Sequence, residues 1–231
     1  MNIISALMKT GLTRHESELY VALCKESEVT GYELAKITGI PRANVYQALA
    51  ALADKGGASV LEGNPQKFLV VPPKEYCAGK SREMQEIFHT IEHEAPKYTS
   101  APEGYITISG YQNILNKMHY ILENATKRVY VSMMAEDIHN VEDSLAKVVK
   151  RGLKVVLITS ECVDISGAVV HTIHKKPGQI RLIADSLEVL TGEFTGAEQD
   201  VCLYSKNRPL IDLIKESLQN EILLSENKKS E

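Results

Sequence analysis

Residues 30–49, TGYELAKITGIPRANVYQAL, constrain the fold of this chain more than any other stretch. Thr30 stands where it can cap a helix, and Glu33, three residues on, completes a capping box. Leu34, Ala35 and Ile37 give that helix an apolar side. Gly39 supplies a left-handed stop, and Pro41 opens a second helix, where its missing N–H costs nothing. A short helix, a Gly-Ile-Pro turn and a second helix make the layout of a helix-turn-helix. In that motif the second helix enters the DNA major groove.

Projected around its axis, the second helix has two unlike sides. Val45, Ala48, Leu49 and Leu52 fall on one and are the expected core. Ala43, Gln47, Ala50 and Ala51 fall opposite, flanked by Arg42, Asn44 and Tyr46. Alanines there let a helix sit deep in a groove. Arg42 can reach phosphate or guanine, while Asn44 and Gln47 can offer paired donor and acceptor to adenine. Any amphipathic helix with an alanine-rich outer face has this pattern, so the flanking sequence decides. Upstream, Thr13-Arg14-His15-Glu16 is a second capping box, opening a helix that carries Leu19, Val21, Ala22 and Leu23. Downstream, 58–61 and 67–71 are strand-like runs around the turn Gly63-Asn64-Pro65-Gln66. Three helices and a β-hairpin make a winged helix of roughly 70 residues. Lys67, with Asn64 and Gln66, is then expected near the phosphate backbone, and Thr30 at the first helix's start joins the DNA-facing set.

The matching residues continue along this first third: Gly11-Leu12-Thr13 with Glu18-Leu19-Tyr20, Gly31, Glu33-Leu34-Ala35, and Gly39-Ile40-Pro41-Arg42. Val45-Tyr46 with Leu49, Leu52, Lys55-Gly56 and Pro72-Pro73 complete the set. In these residues the chain resembles the TrmB family of bacterial and archaeal transcriptional regulators. Gly57-Ala58 departs from the family pattern, which has an apolar pair starting the wing strand, and implies a looser wing.

With 231 residues the chain has room for two domains. No apolar run reaches the roughly 18 residues of a membrane span, and the N-terminus lacks the shape of a signal peptide. Cys24, Cys77, Cys162 and Cys202 are scattered without metal-ligand spacing, which points to a reducing cytoplasm. The net charge is −4, and residues 1–70 carry seven Lys or Arg against seven Asp or Glu. DNA-binding modules are usually basic. DNA binding therefore requires Lys9, Arg14, Lys36, Arg42 and Lys67 to cluster with the acids elsewhere, or two copies to act together.

Residues 74–95 read as one helix. Met84, Ile87 and Ile91, with Ala95 less well placed, form an apolar stripe with Phe88 beside it. The stripe is too short for a self-sufficient coiled coil, but it suits pairing with its twin if another domain also dimerises. Packing back onto its own chain is the alternative. His89 and His93 have the four-residue spacing of two ligands on a helical face, yet they lie in a charged stretch with no third ligand nearby. A solvated face fits better, so no metal is expected, there or at His171 and His174. Pro96, Pro102 and Gly104 mark a boundary.

Beyond it strand and helix alternate. Strands are expected at 105–109, 128–133, 154–159, 169–173, 180–184, 187–191 and 201–204, and helices at 111–123, 141–150 and 208–224. The whole is α+β: a winged helix-turn-helix over 1–73, a linker or dimerisation helix over 74–96, and an α/β sensor or dimerisation domain with a mixed sheet over 103–226. Ligands in such folds gather beyond the carboxyl ends of parallel strands, which points to Ser132, Glu136, Ser160 and Glu161.

Gly110-Tyr111-Gln112-Asn113-Ile114, Ala125, Val129-Tyr130-Val131-Ser132 and Arg151-Gly152-Leu153-Lys154-Val155 resemble the phospholipase-D-like domain that some TrmB-type regulators carry. Enzymes of that superfamily use a His-x-Lys-x4-Asp motif, in which the His attacks phosphorus and the Lys stabilises phosphate charge. His174-Lys175-Lys176 supplies the first two letters, but the Asp position is Arg181, and Asp185 comes four residues too late. Thr191-Gly192-Glu193 stands near the place of the downstream Gly-Ser-x-Asn. The domain reads as a non-catalytic relative, with no catalytic residue and no cofactor. Other TrmB-like regulators are implied to answer to sugars through a different sensor half, so sugar is not carried over. The leading expectation is a homodimeric regulator of double-stranded DNA, off the membrane, with a small-molecule effector. The alternatives are a phosphodiesterase or nuclease using His174 and Lys176, and a winged helix that binds protein.

Overall fold

The computed structural model describes residues 2–96 and 104–227, and the chain divides into two compact units, Met1–Tyr98 and Thr99–Glu231. Pro102 lies outside the described residues. In chain order the first unit contains α1 (Ile3–Lys9), α2 (Arg14–Leu23), β1 (Val29–Thr30), α3 (Gly31–Thr38), α4 (Arg42–Asp54), β2 (Ala58–Leu61), β3 (Lys67–Val70) and α5 (Pro73–Glu94).

Local chemistry sets most of these boundaries. Both expected capping boxes form: Thr13 with Glu16 opens α2, and Thr30 with Glu33 opens α3. Gly39 ends α3 with φ of 72°, a left-handed conformation that suits glycine. Two elements of this unit escape the sequence reading, as the short helix Ala135–Ile138 does in the second. α1 is a short helix capped by Asn2, and β1 is a two-residue strand that joins the wing by pairing Val29 with Phe68. The resulting three-stranded sheet has the order β1-β3-β2. Leu19, Leu23, Leu34, Val45, Leu49 and Leu52 are wholly buried between the helices. Ile37 is not part of that core, being 52% exposed. The inner stripe of α3 runs through Gly31, Leu34, Ala35 and Thr38, which leaves Ile37 turned to solvent. Gly57 does not loosen the wing. A Cβ there would lie 2.4 Å from Leu52 Cδ1, and β2 pairs with β3 from Ala58 through Leu61.

Lys55 ties the end of α4 to the start of α2. Its Nζ donates to Glu16 Oε2 at 2.7 Å and to the Gly11 carbonyl at 2.9 Å. Burial pushes the Glu16 carboxyl up, but the hydrogen bonds from Lys55 and from the Thr13 amide outweigh it and hold the group below its ordinary value. A carboxylate with a depressed folded pKa adds stability above its unfolded pKa, and that stability is lost as pH falls through the folded value. Glu16→Gln is therefore expected to destabilise the first unit by about 1–2 kcal/mol at neutral pH. That is less than for a fully buried pair, because Lys55 is about one-third exposed. Urea titrations equilibrated at falling pH, read by pulsed hydrogen exchange of α4 peptides, should show parent and variant converging in acid.

The second unit contains β4 (Tyr105–Ser109), α6 (Tyr111–Asn124), β5 (Arg128–Ser132), α7 (Ala135–Ile138), α8 (Glu142–Lys150), β6 (Lys154–Thr159), β7 (Val169–Thr172), β8 (Gln179–Ala184), β9 (Glu188–Glu193), β10 (Val201–Ser205) and α9 (Arg208–Asn227). Its seven-stranded sheet has the order β4-β10-β9-β8-β5-β6-β7. Only the β5–β6 and β6–β7 pairs are parallel, so the sheet is mixed, as expected. β4, the first strand in sequence, sits at the far edge and pairs antiparallel with β10, because β8, β9 and β10 fill the space between it and β5. One face carries the larger core, with Val129, Val131, Leu157, Ile180 and Leu182 beneath Ile114, Met118 and Leu145 of α6 and α8. The opposite face packs Ile158, Ile183 and Val189 against Ile211 and Leu218 of α9.

Asp185, the aspartate that comes too late for the His-x-Lys motif, has a structural task. With Ser186 it makes the β8–β9 turn in left-handed conformation, at φ of 54° and 56°. Its carboxylate accepts hydrogen bonds from the Thr126, Lys127 and Arg128 amides at 2.7–2.9 Å and from the Thr126 hydroxyl at 2.8 Å. Those bonds fasten the entrance of β5 to the hairpin. Gly192 admits no side chain, since a Cβ would lie 2.3 Å from the Val201 carbonyl oxygen. No helix among the described residues is long and apolar enough to cross a membrane.

Candidate nucleic-acid interface

α4 buries Val45, Ala48, Leu49 and Leu52 and presents the opposite side to solvent. Arg42, Ala43, Asn44, Tyr46, Gln47 and Ala50 are all exposed. The exposed side divides into three strips. Ala43, Gln47 and Ala50 run along the crest. Asn44 and Gln47 also line a groove of about 340 Å³ whose far wall is Thr13, His15 and Glu16 at the start of α2. Arg42 lies on the other flank, with its guanidinium 3.9 Å from the centre of the Tyr32 ring.

Tyr32 is the residue that sequence reasoning missed. Its ring takes Arg42 and, at 4.7 Å, the Lys36 ammonium, so one aromatic side chain gathers two cations beside the helix. A tyrosine four residues before a lysine on one helix was the available signal; the arginine arrives from the next helix and left none. Tyr46 packs over the backbone of Gly31, where a Cβ would lie 2.6 Å from its ring. This close approach fixes α3 against α4. The first turn of α4 also differs from those of α2 and α3: Pro41 precedes it with no side-chain cap, which leaves its amides free for an anion.

The remaining cations are distributed less simply than the sequence argument required. Lys36 and Arg42 meet at Tyr32, but Arg14 pairs with Glu18 and Lys67 with Glu28, each at 3.0 Å. Both pairs are largely exposed and worth little, so phosphate can compete for either cation. The Thr30 hydroxyl is engaged in its own cap with Glu33.

The start of α5 is bound to the first unit's core by Tyr76, whose hydroxyl shares a 2.7 Å hydrogen bond with Thr10 and whose ring lies 5.2 Å from that of Tyr20. From residue 81 to residue 96 every position is exposed. Met84, Ile87, Phe88 and Ile91 are 43–57% exposed along this stretch. The His89 and His93 rings stack at 4.0 Å, and the His93 Nδ1 lies 2.8 Å from the His89 carbonyl oxygen. No group of three or more metal-type side chains occurs among the described residues.

In the second unit Ser132 ends β5, Glu136 lies in α7 just beyond it, and Ser160 and Glu161 follow the carboxyl end of β6. Ser132 is buried and receives a hydrogen bond from Lys175. Ser160 accepts from the Ala135 amide at 3.1 Å, and Glu136 and Glu161 are exposed. His174 and Lys176 are exposed on either side of Lys175, which is buried. The sequence reading stressed the outer pair of that triplet; the structure turns the middle residue inward.

Two family models match. "Sugar-specific transcriptional regulator TrmB" covers residues 7–74, and "Transcriptional regulator TrmB, EBD N-terminal subdomain" covers residues 104–221. The second match corrects the expectation of a sensor half unlike that of TrmB. Among relatives, the uncharacterized protein YrhO of Bacillus subtilis is 31% identical over 160 residues, covering 68% of this chain and 58% of YrhO. The sugar-sensing transcriptional regulator TrmBL1 of Pyrococcus furiosus is 27% identical over 157 residues, covering 63% of this chain and 44% of TrmBL1. The chain thus spans about half the length of these relatives. Among solved structures, TrmBL2, an archaeal chromatin protein, superposes with a TM-score of 0.47 at 20% identity, covering 94% of this chain and 96% of that one. With one TrmB model over the helix-turn-helix unit and a second over half of the chain, the protein belongs to the TrmB family of transcriptional regulators.

Proposed function

We propose that this protein is a sequence-specific DNA-binding transcriptional regulator. It works in the cytoplasm as a homodimer and answers to a small-molecule effector through its second unit. The observation that carries the reading is the exposed side of α4. Ala43 and Ala50 let that side approach the floor of a major groove, Gln47 and Asn44 supply base-reading amides, and Arg42 is oriented by Tyr32. The even balance of basic and acidic side chains in residues 1–70 argues for modest non-specific affinity, with discrimination coming from base contacts and from two heads acting together. The four cysteines, all free thiols, suit a reducing compartment. The exposed stripe on α5 is the proposed dimer seam, aided by the second unit.

Selection of genomic fragments by the full-length protein, followed by titration of the enriched duplex over a range of salt, tests the proposal. A recurrent motif bound more tightly than random duplex, with affinity falling linearly in log salt, is expected. Absence of any enriched sequence would point instead to a winged helix that docks on protein. The proposal includes no catalysis. Turnover of a generic phosphodiester that disappears in His174→Ala would overturn that part.

A further inference from the structure

Beneath α9 the sheet carries a polar row. Register pairs Thr191 with Arg181, Arg181 with Ser132, Ser132 with Ile158 and Ile158 with His171, so these residues share the α9 face. Lys175 enters from the loop after β7 with its side chain only 4% exposed. Its Nζ donates to the Ser132 hydroxyl and, at 3.0 Å, to Glu221 Oε2 of α9. Arg181 donates to the other Glu221 oxygen and, at 3.3 Å, to the Ser217 hydroxyl, and its second nitrogen donates to Gln179 at 3.1 Å. Among the described residues, two largely buried cations therefore share a single carboxylate, and their other hydrogen-bond partners are neutral.

Among the described residues that arrangement leaves one positive charge without a paired anion in a largely buried site, an expensive condition. Burial pushes the Lys175 ammonium below its ordinary value, and Arg181 adds to the effect against the pull of Glu221. Burial raises the Glu221 carboxyl, but both cations outweigh it and hold the group in its charged form. Glu221 comes from the far end of α9. Nearby, a small void persists between Tyr130 and Ile183 of the sheet and Lys215, Leu218 and Ile222 of the helix.

We propose that Lys175, Arg181 and Ser132 form a receptor for a phosphomonoester-class dianion, and that Glu221 is a built-in monoanion which the ligand displaces, freeing the end of α9. A dianion neutralises both cations where Glu221 neutralises one, and its oxygens accept from the ammonium, the guanidinium and the hydroxyl together. A diester monoanion has no such advantage over Glu221. The inference rests on the effector-responsive reading only for its consequence at DNA. Ligand binding is measured without DNA, so failure here leaves the DNA-binding reading intact.

The test is calorimetric titration of the full-length protein, at constant ionic strength and neutral pH, with inorganic phosphate, phenyl phosphate and dimethyl phosphate. Saturable one-to-one binding of the first two is expected, with dimethyl phosphate at least about tenfold weaker. Glu221→Gln removes the competing anion and should tighten phosphate binding by about tenfold or more. Arg181→Gln should weaken it by a similar factor. Hydrogen exchange of α9 peptides should rise when phosphate is added to the parent. Glu221→Gln keeps the proposal testable should Arg181→Gln fail to fold, because it predicts a gain. The proposal is overturned if Glu221→Gln shows no saturable phosphate binding, if it binds no more tightly than the parent, if dimethyl phosphate binds as well as phosphate, or if a folded Arg181→Gln protein binds normally.

Discussion

Replacing Arg42, Asn44 and Gln47 together with alanine should leave the first unit folded and erase its preference for the selected duplex. All three are exposed, so the substitutions open no cavity and strand no buried polar group. Each good bidentate contact to a base is worth about 1–3 kcal/mol of discrimination, so losing even two should cost a factor of about thirty or more. Binding to random duplex should fall less, because Lys36, Lys67 and the first-turn amides of α4 remain. Tyr32→Leu should produce part of the same loss without removing any base-reading group, since it takes away the ring that holds Arg42 in place. Footprinting and competition against random duplex, with circular dichroism to check the fold, measure both effects. A triple variant that protects the operator as well as the parent would show that α4 is not the reading helix.

Placing aspartate at both Ile87 and Ile91 should weaken the proposed dimer and lower operator binding with it by about a hundredfold, the scale on which two linked heads outperform one. The two side chains are 44% and 57% exposed on α5. In a paired helix they would be covered, and the substitution would bury repelling charges at the seam. In a lone helix the same change is harmless, which makes the result diagnostic. A dimeric helix-turn-helix reads half-sites about 34–36 Å apart or at a multiple of that distance, so whatever holds the two heads apart also sets affinity. Sedimentation equilibrium beside operator titration at fixed salt separates the cases. A variant that stays dimeric and binds normally would assign the dimer seam to another surface.

The features legible in the sequence are those written in short-range chemistry. Thr13 with Glu16 and Thr30 with Glu33 are i,i+3 pairs that cap wherever the helix begins, and Gly39 and Pro41 fix the turn from within two residues. The strands of the second unit were legible because β6 is a run of branched apolar residues buried on both faces, and β5 and β8 place such residues at alternate positions. Features made by long-range pairing were not. β1 is two residues long, too short for any period, and exists because β3 lies beside it. β4 reaches the far edge through its register with β10, almost 100 residues later. Lys175 meets Glu221 only because α9 folds over the sheet, and the adjacent His174 and Lys176 drew attention as a motif while remaining in solvent. Arg42 on Tyr32 is a contact between two helices, outside the reach of any one helix's periodicity.

The most direct test of DNA reading by α4 is site-specific photocrosslinking. In a protein with Cys24, Cys77 and Cys162 replaced by serine, so that no exposed native thiol takes the label, a benzophenone attached to cysteine substituted at Ala43, on the crest of the helix, is irradiated in complex with the selected duplex. Cysteine at Glu94, at the end of α5, serves as the comparison. DNA reading by α4 predicts efficient adducts to bases of the operator from position 43, competed by excess operator and not by random duplex, and none from position 94. Operator binding that persists with no adduct from position 43 would contradict it.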